Sequence, residues 1–153
     1  MNHLRQYIRQ ILLTEAAAQP EDLPNHVVVV IKRLHGMQFS VYYGDKENPD
    51  QPAAIAKIRG APYLGKITIG PPAGHYGNCG NALKVNISDA YDGWGPMLYD
   101  VAMEHATEVA NGLIPDRHSV SDEARGVWDY YMNNRYDVTA HQLDDTQNTL
   151  TSA

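Results

Sequence analysis

At 153 residues, 43% of them hydrophobic, the chain is sized for one domain with a real core and is too short for two. A formal charge of −6 supplies no basic footprint, which speaks against sequence-independent binding to nucleic acid. No apolar run approaches the ~20 residues of a membrane span, and Arg5 and Arg9 interrupt the start where a signal peptide needs a continuous apolar core, so a soluble cytoplasmic protein without membrane contact is expected.

Leu4, Tyr7, Ile8, Ile11 and Leu12 recur at helical spacing and predict a first helix from about Asn2 to Ala18, ended by Pro20 and Pro24. Val27 to Leu34 is too continuous for a half-exposed strand, which predicts a central place in a sheet. The chain resumes with period-2 character from Gln38 to Tyr43, so these two strands read as a hairpin. Asp45 to Pro52 is a polar, proline-punctuated loop, and Ala54–Arg59 and Leu64–Ile69 read as two further short strands. The glycine-rich stretch from Gly70 to Asn81 has no apolar period and is long for a connection, as loops that line sites are.

From Ala82 to Asn111 the pattern changes twice. Leu83, Val85 and Ile87 alternate with Lys84, Asn86 and Ser88 as a strand, which runs through Asp92-Gly93-Trp94-Gly95-Pro96 into a helix spanning about Pro96 to Ala110. Leu98, Val101, Ala102, Ala106 and Val109 form its buried stripe, and proline suits its first turn. A helix start leaves backbone N–H groups unpaired and carries partial positive charge, so this order makes an anion site. Gly112 to Pro115 leaves room for a stub of strand. Ser119 and Ser121 offer N-caps for a last helix, with Ala124, Val127, Trp128 and Tyr131 as its buried stripe and an end near Asn134. Residues 1–137 thus read as one domain, and residues 138–153 as a polar tail.

His75 and Cys79 could meet His105 or His118, but no Cys-x-x-Cys or His-Glu-x-x-His spacing is present, so no metal site is expected. Cys79 is the only cysteine, and nothing local marks it as an activated thiol. Arg117, lying between the last two helices, could pair with a ligand phosphate or with a carboxylate of the domain.

The strand, glycine turn and helix of LKVNISDAYDGWGPMLYDVAMEHATEVANG, followed by the helix of VSDEARGVWDYYMNNRYD, resemble the GNAT family of N-acetyltransferases across roughly residues 82–137. The resemblance implies an α/β fold, a mostly antiparallel mixed sheet flanked by helices, of acyl-CoA N-acyltransferase type. It implies acetyl-CoA as co-substrate and an amine, small-molecule or protein, as acceptor. The amides of Trp94, Gly95 and Met97 would hold phosphate oxygens, with Gly93 permitting close approach, and Tyr130 or Tyr131 would protonate the leaving thiolate. The opening LRQYIRQILLTEA is similar to the starts of small proteins of tailed bacteriophages. That second resemblance implies a phage origin and, as the alternative function, a virion or assembly protein that keeps the fold and works through contacts with its own copies or with other virion proteins.

Overall fold

Strands rich in β-branched and aromatic residues build a meander. In the computed structural model, which describes residues 18–53, 64–72, 81–91, 93–116 and 121–140, β1 (Val27–His35), β2 (Gln38–Asp45), β3 (Gly65–Gly70) and β4 (Leu83–Ala90) pair antiparallel in that order. The two-residue strand β5 (Leu113–Ile114) then joins β4 in parallel. A parallel neighbour needs a crossover, and helix α1 (Gly95–Val109) supplies it before helix α2 (Asp122–Asn134) closes the described fold. The architecture is therefore α+β with a mixed, mostly antiparallel sheet, as the sequence predicts. The first helix, the strand at Ala54–Arg59, most of the glycine-rich loop with His75 and Cys79, Asp92, Arg117, His118 and the tail beyond Ala140 lie outside the described residues.

The core lies between one face of the sheet and α1. Phe39, Val41 and Tyr43 of β2, Ile67 and Ile69 of β3, and Leu83 and Val85 of β4 pack against Leu98, Ala102 and Ala106 of the helix. Two expectations need correction here. β1 is not central: it is the outer strand of the described sheet, and its second half leaves Ile31 41% and Leu34 50% exposed. Its run of β-branched residues reflects strand propensity rather than burial on both faces.

The second correction concerns β4. Thr68 pairs with Ile87 and Ile69 pairs with Val85, so Asn86 is one residue too many on the β4 side. Such a bulge reverses the alternation. Beyond it Ser88 stands opposite the buried Ile67, while Ile87 turns to the other face and is 58% exposed.

Helix α2 begins where the sequence places it. The Ser121 hydroxyl accepts the Ala124 N–H at 3.2 Å. Ser121→Ala is expected to cost about 1 kcal/mol, seen as a lower urea midpoint at unchanged m-value; an unchanged midpoint would show the cap to be idle. Among the described residues no helix is long and apolar enough to cross a membrane.

Candidate functional site

The site is built where β4 hands the chain to α1. The Tyr91 N–H donates to the Leu64 carbonyl at 2.8 Å and extends the β3–β4 ladder by one step. The backbone then turns through Gly93 at φ 85°, a left-handed conformation that glycine adopts without strain. Trp94 caps α1 with its backbone alone, its ring set edge-on to Tyr43 at 5.6 Å and its carbonyl accepting the Tyr43 hydroxyl at 2.5 Å.

This geometry narrows the expected amide cradle. The Trp94 N–H already donates to the Tyr91 carbonyl at 2.9 Å, and Pro96 has none to give. Gly95 and Met97 remain as first-turn donors, and among the described residues neither an acidic side chain of the first turn nor a side-chain cap competes for them. The fold itself does not require glycine at 95. A Cβ there would rest 3.6 Å from the Ala90 Cβ, an ordinary contact.

On the outer side of α1 lies a cavity of about 260 Å³, enclosed by residues 18–20, the first two turns of α1 and the second half of α2. Met97, Tyr130 and Tyr131 all line it, so the structure brings together three of the six residues singled out by sequence. Gly93 meets the same edge through its backbone, since its carbonyl accepts the Ala18 N–H at 2.8 Å.

The two tyrosines differ. Tyr131 is buried, and its hydroxyl donates to Asp100 Oδ1 at 2.5 Å. Arg135 Nη1 donates to the same oxygen at 2.9 Å, while Arg135 Nε and Nη2 grip Asp137 at 2.8 and 2.7 Å. Burial first, then the hydrogen bond to Asp100 and its charge, hold the Tyr131 hydroxyl well above the usual phenol range, against the opposing charge of Arg135. Its proton is thus committed to a carboxylate. The Tyr130 hydroxyl has no hydrogen-bond partner among the described residues, and its ring stands 6.1 Å from that of Tyr131.

On the β4 side of α1, the Tyr99 hydroxyl donates to Ser88 Oγ at 2.9 Å, and Trp128 sets its ring edge-on to Tyr99 at 6.0 Å. Burial raises the Tyr99 hydroxyl as well, and the Ser88 bond draws it partly back. β5 accompanies β4 only at Leu83 and Lys84, so from Val85 to Ala90 the described sheet has no strand on that side of β4.

Asp100, Arg135, Ser88 and Tyr99 escaped the sequence reading. Asp100 follows Pro96 by one helical turn, a spacing that could have placed it beside the helix start. Ser88 was assigned to the wrong face because of the bulge, and nothing local announces the pairing of Arg135 with a carboxylate 35 positions earlier. Among the described residues no three His, Cys, Asp or Glu side chains gather as a metal-binding group. Compared with protein-family models, curated proteins and solved structures, the chain matches none.

Proposed function

We propose that this chain is an acyl-CoA-dependent N-acyltransferase that transfers an acetyl group from acetyl-CoA to an amine. One observation carries the reading: the edge of β4 from Val85 to Ala90, which no described strand accompanies, leads through Gly93 into the start of α1, where no described side chain caps the Gly95 and Met97 amides. A strand edge offers backbone donors and acceptors to an amide-containing arm, and a helix start offers N–H groups to phosphate. Acyl-CoA joins those two chemistries in one molecule. Gly95 supports the reading because glycine in a helix costs about 1 kcal/mol against alanine and the packing makes no demand for it. Close approach of a ligand does make that demand.

The reaction forms a C–N bond between the amine nitrogen and the thioester carbon, breaks the C–S bond and releases thiol, with the amine proton balancing the thiolate. The chain's part is to hold the phosphates at Gly95 and Met97 and to lay the arm along β4. An extended pantetheine arm is about as long as four or five residues of strand, roughly 15 Å. Laid back from Ala90, it puts the sulfur level with Val85 and Asn86. Tyr130 and Tyr131 flank the first turn of α1, at the phosphate end. The expected protonation of the thiolate by either tyrosine is therefore not carried over.

The alternative, a non-catalytic virion or assembly protein, draws on the exposed Ile31 and Leu34 of the outer strand β1. Calorimetric titration with acetyl-CoA separates the two. Binding heat and a rise in Tm are expected, since a ligand that binds the native state must stabilise it. Absence of both at millimolar acetyl-CoA would overturn the acyltransferase and leave assembly as the working reading.

A further inference from the structure

The phase of the β1–β2 ladder decides which backbone groups β1 leaves at its outer edge. The Lys46 N–H donates to the His26 carbonyl at 2.8 Å, one step before Val27 meets Asp45, so Val28, Val30 and Lys32 turn their backbone groups to β2. Val29, Ile31 and Arg33 turn theirs outward. Across the ladder the Tyr43 carbonyl, opposite Val29, faces away from β1 and accepts the Ala53 N–H at 3.0 Å, which fixes the same phase. No described strand lies beyond this edge, and every residue from Ile31 to His35 is exposed. Ile31 is exposed even though it stands opposite the fully buried Val41, so the cover of the sheet stops at β2 here.

We propose that this edge pairs with the same edge of a second copy of the chain, antiparallel about a two-fold axis at Ile31. Charge selects the register. Opposed residues share a face of the joined sheet, so a symmetric pairing centres on one residue of the strand. Centred on Lys32 or Arg33 it would set cation against cation, which is destabilising. Centred on Ile31 it sets isoleucine against isoleucine, Lys32 against Val30 of the other copy, and Arg33 against Val29. The outward backbone groups then match as well: Ile31 exchanges both N–H···O bonds with its counterpart, and Val29 does the same with Arg33 of the other copy. Lys32 is already drawn aside to Asp50 at 3.4 Å. The pairing consumes this edge in both copies, so it closes at a dimer instead of growing into a fibre. It does not depend on acyl transfer, because β2 and β3 separate β1 from β4 and the start of α1 stays open.

Sedimentation equilibrium and amide exchange on the full chain test the pairing. As concentration rises, the mass is expected to approach twice the 17.0 kDa of one chain. Over the same range, exchange at the Val29, Ile31 and Arg33 amides should slow, while exchange at Val30 and Lys32, already bonded to β2, stays level. Ile31→Pro removes an outward N–H without taking a bond from β2, and Ile31→Lys sets like charges face to face at the axis. Each is expected to raise the dimer dissociation constant at least about tenfold, and a cooperative melt checks that each variant folds. A mass that stays at one chain up to about 1 mM overturns the proposal. So does a dimer that leaves exchange at those three amides unchanged, or one that both folded variants form as readily as the parent.

Discussion

Above pH 10 the domain is expected to lose stability steeply. Tyr43, Tyr99 and Tyr131 are buried, and burial is the first cause that lifts each hydroxyl above the ordinary phenol value of about 10. The folded chain therefore keeps three protons that the unfolded chain releases as pH passes that value. Their stabilisation is present below pH 10 and is lost as pH rises toward the folded values, at about 1.4 kcal/mol per pH unit for each hydroxyl that the folded chain still keeps protonated. Urea midpoints measured between pH 9 and pH 11.5, converted with the m-value, give this slope. Tyr43→Phe should lower it by about 1.4 kcal/mol per pH unit; at neutral pH it should cost about 1 kcal/mol for the lost bond to the Trp94 carbonyl. A midpoint that stays level through this range would mean that the three hydroxyls ionise as readily folded as unfolded.

Gly65→Val is the second change expected to do most damage, and it connects the sheet to the site. A Cβ at 65 would lie 2.7 Å from the Ala90 Cβ, 2.9 Å from the Ala90 Cα and 3.0 Å from the Asp89 carbonyl oxygen. Backbone cannot swing aside as the end of a side chain can, so β3 and β4 must part where they are paired. Overpacking of this kind costs about 3 kcal/mol, which for a chain of this length lowers Tm by roughly 10 °C. Because Ala90 also touches the space beside Gly95, the start of α1 should move with it and acetyl-CoA affinity should fall. Gly36→Ala is the contrast. It sits at φ 56° in open space, so its cost is confined to the turn and should leave ligand affinity unchanged. Equal melting of Gly65→Val and the parent would show that β4 is held less closely to β3 than these distances require.

The parts of the fold legible in the sequence are those whose causes are local. Alternation marks β4, Pro96 marks the start of α1, Ser121 marks the start of α2, and each signal lies within a few residues of the structure it produces. The parts that were not legible depend on partners far along the chain. Nothing in Val27 to Leu34 says which of its edges will be left without a neighbour. Nothing around Tyr131 says that its hydroxyl will meet Asp100, 31 positions earlier, or that Arg135 will reach the same oxygen. The candidate site divides along the same line. Its glycine turn and helix start could be read directly, whereas the loss of the Trp94 amide to Tyr91 and the setting of both tyrosines beside the first turn of α1 are products of the folded geometry.

The bulge at Asn86 gives β4 two phases, with Leu83 and Val85 buried before it and the exposed Ser88 opposite Ile67 after it. A strand with a spare residue is a strand that can change length. Loss of one residue elsewhere in β4 would reverse the faces of everything that follows, unless the bulge closed to compensate. The strand therefore carries its own tolerance for a one-residue deletion, while an insertion would find no such slack. Length variation during divergence should concentrate at this position, where the chain can shed a residue and still deliver the Gly93 turn to the same place.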